Sequence, residues 1–265
     1  MHTFTYEGIK VFKFPVLPFY EDFVFYLYFV DGLLVDTGPR LRKSILAPAF
    51  NKLPIEKVAL THHHDDHMGM AGWLARNKDL VIYTHENTFP HIKKQKHLPW
   101  IYRVGRKLAG QFNPVVYPEK IITKQHEFIP IHTPGHTDDH VVLYEPNKKW
   151  LFTGDLYITS NPKVAHRSES IKQYIESLEK LMTLDFETIF CAHEGVIQDG
   201  KERIEEKITY LKRMQKSATE MHEEGLTDEE IVKIIFPRRV ALESLTLGAF
   251  SRKKFIQACY RDETK

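Results

Sequence analysis

The stretch "THHHDDH", residues 61–67, places four histidines and two aspartates within seven positions. It follows directly on "VAL" (residues 58–60), an apolar run that reads as a short buried strand. "MGMAGWLARN" (68–77) comes next and reads as a helix whose N-terminus abuts the cluster. On an extended segment, side chains at i and i+2 point the same way, so His62 and His64 reach one metal while His63 faces away. Asp66 and His67 lie where strand gives way to helix and can turn toward a second metal. Imidazole and carboxylate together suit zinc, iron or manganese, and a catalytic site keeps a position open for water.

One cluster cannot complete two such metals, so further ligands are expected at other strand ends. His136 in "HTPGHT", Asp155 in "FTGDLY" and His193 in "CAHEG" each sit just past a short apolar strand. A carboxylate such as Asp155 can bridge two cations, because each oxygen has a free lone pair. His132 and His140, flanking the His136 motif, read as packing or hydrogen-bonding residues, and His85, His91, His97 and His126 as surface.

The rest of the chain supports this reading. "VFKFPVLPF" and "FVFYLYFV" are strand-like, and "DG" at 31–32 between the second run and "LLVDTG" is a strong hairpin signal. Residues 41–52 and about 167–184 read as helices, and "EFIPIHTPG", "DHVVLYEP", "KWLFTGDLY" and "TIFCAHEG" as strands and loops. Beyond Gly200 the pattern is helical: 201–224 with i,i+4 charge pairs, then "TDEEIVKIIF" with a Thr227/Glu230 capping box stopped by Pro237. A last helix is expected over about 241–260.

A 265-residue chain with 42% hydrophobic and 27% charged residues can bury a sizeable core, and a formal charge of +2 gives no field for nucleic acid. Two cysteines make no disulfide framework, and the most apolar run has eight residues, so a cytoplasmic protein without a membrane span is expected.

The ordered set "VDTG" (Asp36), "HHHDDH", "TPGHT", "TGD" and "AHEG" resembles the metallo-β-lactamase superfamily over roughly residues 10–200. The resemblance implies an α/β fold, a four-layer αβ/βα sandwich, here with a C-terminal helical extension. Residues 1–200 would form the catalytic domain and 201–265 a helical region packed on it. It implies one metal on His62, His64 and His136, a second on Asp66, His67 and His193, and Asp155 between them, with Asp36 organising the site from behind. Zinc is the expected ion, with iron or manganese as alternatives. Classical zinc β-lactamases most often have cysteine where this chain has Asp155, so antibiotic hydrolysis is not expected.

Hydroxide held between two divalent cations would attack an acyl centre, with Asp66 orienting it and passing a proton to the leaving group. The expected substrate is a small molecule: a thioester, lactone or ester. The alternatives are a phosphodiesterase and, in another reaction class, a mononuclear iron sulfur dioxygenase. The basic stretch 91–107, with Trp100 and Arg103, would suit an anionic substrate at the site rim, and Tyr157 could donate to a substrate carbonyl. Monomer and homodimer are both compatible with the sequence.

Overall fold

The computed structural model describes residues 1–17, 20–96 and 110–261. Trp100, Arg103 and most of the basic stretch therefore lie outside the described residues. The contacts of the chain group into two compact units, one of residues 1–132, 139–155 and 186–199, the other of 133–138, 156–185 and 200–265.

The first unit contains two sheets. Strands β1 (His2–Tyr6), β2 (Ile9–Leu17), β3 (Tyr20–Val30), β4 (Leu33–Val35), β5 (Lys57–Ala59), β6 (Val81–Thr84) and β7 (Val115–Val116) pair in sequence order. The first four are antiparallel, and β4 through β7 are parallel. The other sheet takes β8 (Ile121–Ile122), β9 (Glu127–His132), β10 (Val141–Glu145), β11 (Trp150–Gly154), β13 (Thr188–Cys191) and β14 (Gly195–Ile197), in the order β14-β13-β11-β10-β9-β8. The hairpin expected at Asp31-Gly32 is present, with φ of 46° and 85°, the twist that a two-residue turn between right-twisted strands requires.

Alternation along the strands separates two cores. Val11, Tyr28 and Leu33 of the first sheet pack with Phe128, Leu143, Phe152 and Phe190 of the second. Phe12, Phe14, Phe25 and Leu27, one residue out of phase, pack instead with Leu46 and Phe50 of helix α1 (Lys43–Asn51) and with Met68 and Leu74. Met68 ends the one-turn helix α2 (Asp65–Met68), and Leu74 lies in α3 (Ala71–Asn77). Helix formation therefore begins inside the histidine cluster, at Asp65, earlier than the apolar periodicity suggested. Helix α4 (Thr88–Lys96) follows β6.

The second unit is mostly helical. Helix α5 (Ile171–Met182) is capped by Ser170, whose side chain accepts from the Gln173 N–H, and it buries Ile171, Tyr174, Ile175, Leu178 and Leu181 at helical spacing. It packs against α6 (Gly200–Glu223) and against α9 (Arg252–Tyr260). Helix α7 (Asp228–Ile235) has the full Thr227/Glu230 capping box. The single helix expected over 241–260 is instead α8 (Ala241–Leu245) and α9, separated by β15 (Phe250–Ser251), which pairs with β12 (Ala165–His166). Leu247 and Gly248 both have positive φ, which ends α8, and the Ser251 side chain caps α9. No helix among the described residues is long and apolar enough to cross a membrane.

Candidate metal centre

Parallel pairing of β4 with β5 puts Val35 beside Ala59, so the residues just beyond both strands emerge together. Asp36 adopts a left-handed φ of 58° and donates its backbone N–H to the Ala59 carbonyl at 2.9 Å. This turns its carboxylate onto the cluster. The Thr61 N–H donates to Oδ1 at 2.8 Å, the Thr61 hydroxyl reaches Oδ2 at 2.9 Å, and His67 Nδ1 lies 2.7 Å from Oδ2. A buried carboxylate accepts from Nδ1–H, so in the neutral ring the lone pair of His67 resides on Nε2. That nitrogen is buried with no hydrogen-bond partner among the described residues, and it faces Asp155 Oδ1 at 3.2 Å.

His193 is fixed by the same logic from another direction. Its Nδ1 lies 2.8 Å from the Val24 carbonyl, which can only accept, so Nε2 carries the free lone pair. Nε2 lies 3.3 Å from Asp155 Oδ1 and 3.6 Å from Asp66 Oδ2. Phe25 presents its ring at near right angles to both His67 and His193, and Phe23 stacks on His193. His62 Nε2 faces His64 Nδ1 at 2.9 Å and Asp155 Oδ2 at 3.8 Å, while its Nδ1 is 3.1 Å from the Thr61 hydroxyl.

Ligand-type atoms of Asp66, His67 and His193 thus lie within 4.8 Å of one another, and so do those of His62, His64 and Asp155. Lone pairs of imidazoles and carboxylates converging in a buried space repel unless a cation or protons lie between them. Burial alone would lower the proton affinity of His67, yet Asp155, Asp36 and Asp66 hold its pKa well above the usual histidine value. His193 is raised likewise, against its burial, by Asp155 and Asp66. Burial would raise Asp155, but His67 and His193 hold it well below the usual carboxylate range. The site is one that concentrates positive charge, and its donor set fits divalent cations.

The other residues singled out in the sequence have individual placements. His63 points away: its Nδ1 lies 2.8 Å from Asp139 Oδ1, and its ring stacks on His91 with centroids 3.5 Å apart. His136 is buried in the second unit, with Nδ1 3.5 Å from Glu169 Oε1. Tyr157 is also buried in that unit, its hydroxyl 3.0 Å from Ser160 Oγ, so its polar end belongs to that unit's own network. Sequence reasoning missed Asp139, which takes a 2.8 Å hydrogen bond from Thr88 as well as holding His63. His140 is a hydrogen-bonding residue as expected, and its unforeseen partner is Asp155: its Nε2 accepts the Asp155 backbone N–H at 3.2 Å, steadying that residue from behind. Gly154 makes this closeness possible, since an added Cβ would lie 2.8 Å from Thr61 and 2.9 Å from His140. The only sequence signal for these contacts was adjacency to the motifs.

A model of the metallo-β-lactamase superfamily matches residues 28–193. The chain is 27% identical over 218 residues to a β-lactamase-like protein 2 homolog of Drosophila melanogaster, covering 77% of this chain and 70% of that one. It is 26% identical over 191 residues to a hydroxyacylglutathione hydrolase of Legionella pneumophila, covering 71% and 68%. Among solved structures, a metallo-β-lactamase family protein of Thermus thermophilus superposes with a TM-score of 0.72 at 21% identity, covering 95% of this chain and 90% of the other. That likeness extends the fold across the C-terminal helices. The matched segment contains Asp36, the whole histidine cluster, His136, Asp155 and His193, and the chain belongs to the metallo-β-lactamase superfamily of metal-dependent hydrolases.

Proposed function

We propose that this chain hydrolyses a small acyl substrate, a thioester, lactone or ester, with two divalent cations as cofactors. The observation that supports this most directly is the meeting of His67 Nε2 and His193 Nε2 at one oxygen of Asp155, with His62 Nε2 facing its other oxygen. His62, His64 and His136 would hold one ion and Asp66, His67 and His193 the other, Asp155 serving both. Zinc is the first choice, with iron or manganese as alternatives, since all seven side chains are imidazole or carboxylate and suit each of the three. Bound there, the ions would supply a water of lowered pKa and polarise the scissile carbonyl.

The protein's own groups do the rest. Asp36, the Val24 carbonyl and Thr61 orient imidazoles so that no ring need turn when ions enter. Asp66 is the most open carboxylate of the set, its side chain 22% exposed against 6% for Asp155. Its carboxylate is thus the group suited to take the proton of the attacking water and deliver it to the leaving group. Phe23 and Phe25 exclude water from the His193 side. A thioester is favoured among acyl substrates by similarity to the hydroxyacylglutathione hydrolase of Legionella. The buried thiols Cys191 and Cys259 suit a reducing cytoplasm. Residues 1–200 would constitute the catalytic domain and 201–265 its helical companion.

The test is a panel of thioesters, lactones, esters and phosphodiesters turned over by protein whose metal content has been quantified. Two metal equivalents with acyl turnover are expected. One iron per chain with oxygen-dependent turnover would replace hydrolysis by sulfur oxidation, and turnover of phosphodiesters alone would replace the acyl substrate.

A further inference from the structure

Strand β13 ends in a thiol that the chemistry above does not use. Cys191 is buried, and its backbone carbonyl takes the Tyr28 hydroxyl at 2.6 Å. Strands β13 and β14 pair as far as Cys191 and Gly195, so Ala192, His193 and Glu194 form a three-residue turn with His193 at its middle. Gly195 follows with a φ of 87°, a left-handed conformation that suits glycine at the close of a turn.

The thiol caps this turn from inside. Its Sγ accepts the His193 N–H and the Glu194 N–H, both at 3.4 Å, from two and three residues further on. Serine, threonine, asparagine and aspartate make such contacts with an oxygen, and the contact holds a turn in one conformation. The S–H points to the Gly154 carbonyl at 3.9 Å, which also takes the Ala192 N–H at 3.2 Å. The Ala192 carbonyl in turn takes the Tyr26 N–H at 2.7 Å. Each N–H of the turn therefore has a partner, and two of the three share one sulfur. Without that acceptor the middle of the turn has nothing to keep it from rotating.

We infer that Cys191 is a positioning residue for His193: by holding the N–H groups of His193 and Glu194 on one sulfur, it fixes the backbone from which the imidazole projects, and so the affinity for the ion that His193 would hold. This rests on His193 being a ligand, as proposed above. The Val24 carbonyl sets the rotation of the ring through Nδ1, and Cys191 sets the point from which the ring starts. A ligand is aimed only when both are fixed. All of these residues lie in the first compact unit.

The test is zinc affinity, measured by competition with a chromophoric chelator, alongside the melting temperature of the metal-free protein. Cys191→Val, which keeps an apolar side chain in the space and removes the acceptor, should weaken binding of one zinc equivalent about tenfold or more, the size typical of losing a group that supports a ligand. Cys191→Ser, whose hydroxyl can accept from the same N–H groups, should recover part of that loss. Leu143→Ala removes a buried apolar side chain from the same sheet and should lower the melting temperature with zinc affinity unchanged. If Cys191→Val does not fold, Cys191→Ala removes the acceptor without adding a branched carbon and should show the same zinc defect. If neither folds, amide hydrogen exchange in the metal-free wild-type protein decides: slow exchange is expected at His193 and Glu194, and unprotected exchange at both would overturn the inference. Wild-type zinc affinity in whichever of Cys191→Val and Cys191→Ala folds would also overturn it, as would a Cys191→Ser no better than these, or an equal zinc defect in Leu143→Ala at equal loss of stability. Failure of the ligand assignment is distinct: it would show as unchanged zinc stoichiometry in His193→Ala.

Discussion

Two histidines four positions apart, His63 and His67, are anchored in nearly the same way and face different surroundings. Each sets Nδ1 against a buried aspartate, His63 on Asp139 at 2.8 Å and His67 on Asp36 at 2.7 Å, and each aspartate also takes a threonine hydroxyl. What differs is the surroundings of the rest of the ring. His67 is fully buried, and its Nε2 faces Asp155, whereas the His63 side chain is 21% exposed and stacked on His91. An imidazole–carboxylate pair therefore does not by itself set the proposed ligand apart from its neighbour. The group met by the other nitrogen does.

The largest effect that could break this contrast comes from the inner side. Asp155→Ala and His67→Ala should each lose metal and activity together, well beyond the 10–100-fold (roughly) that follows loss of a supporting partner. Metal analysis of the purified variants checks this, and full stoichiometry in either would remove the distinction between the two histidines. Next comes Asp36→Ala, which leaves every proposed ligand in place but frees the His67 ring; metal affinity should fall by about 10–100-fold. Chelation of the wild-type protein should lower its melting temperature, since ions that bind only the folded chain at a thousand times their Kd add about 4 kcal/mol.

On the outer side the effect should be small. His63→Ala should keep its metal, with affinity within about twofold of wild type rather than the 10–100-fold or so of a supporting residue. Loss of a full equivalent would place His63 among the ligands. The smallest effect concerns a carboxylate outside both pairs. Asp228 at the start of α7 is lowered in pKa: burial acts to raise it, but hydrogen bonds from Tyr260 and Gln257 and the Lys253 charge outweigh that. A depressed carboxylate contributes stability above its unfolded pKa, about 4, and loses it as pH falls through the folded value. Asp228→Asn should thus melt below wild type at neutral pH, with the gap closing under acid, and metal content should not change.

Much of the centre was legible because its residues have local reasons to be where they are. The i,i+2 spacing of His62 and His64 separated them from His63, and Asp31-Gly32 specified its hairpin by turn chemistry alone. Asp139 was not legible as the partner of His63, since 76 residues separate them and it is the hydrogen bond from the Val141 N–H, at the start of β10, to the Thr61 carbonyl that brings the two segments together. Lys207 reads in sequence as one more charge among the i,i+4 pairs of its helix, and only folding shows it buried. The break between α8 and α9 depended on Leu247 taking a left-handed conformation, which apolar periodicity does not anticipate.

Gly154 has a consequence for anyone wishing to redirect the enzyme. Because any side chain there would collide with Thr61 and with the imidazole of His140, the floor beneath Asp155 offers no room for variation. Repurposing toward another substrate must therefore proceed from the rim, through the loops that enter and leave the strands, while the base of the centre stays as it is.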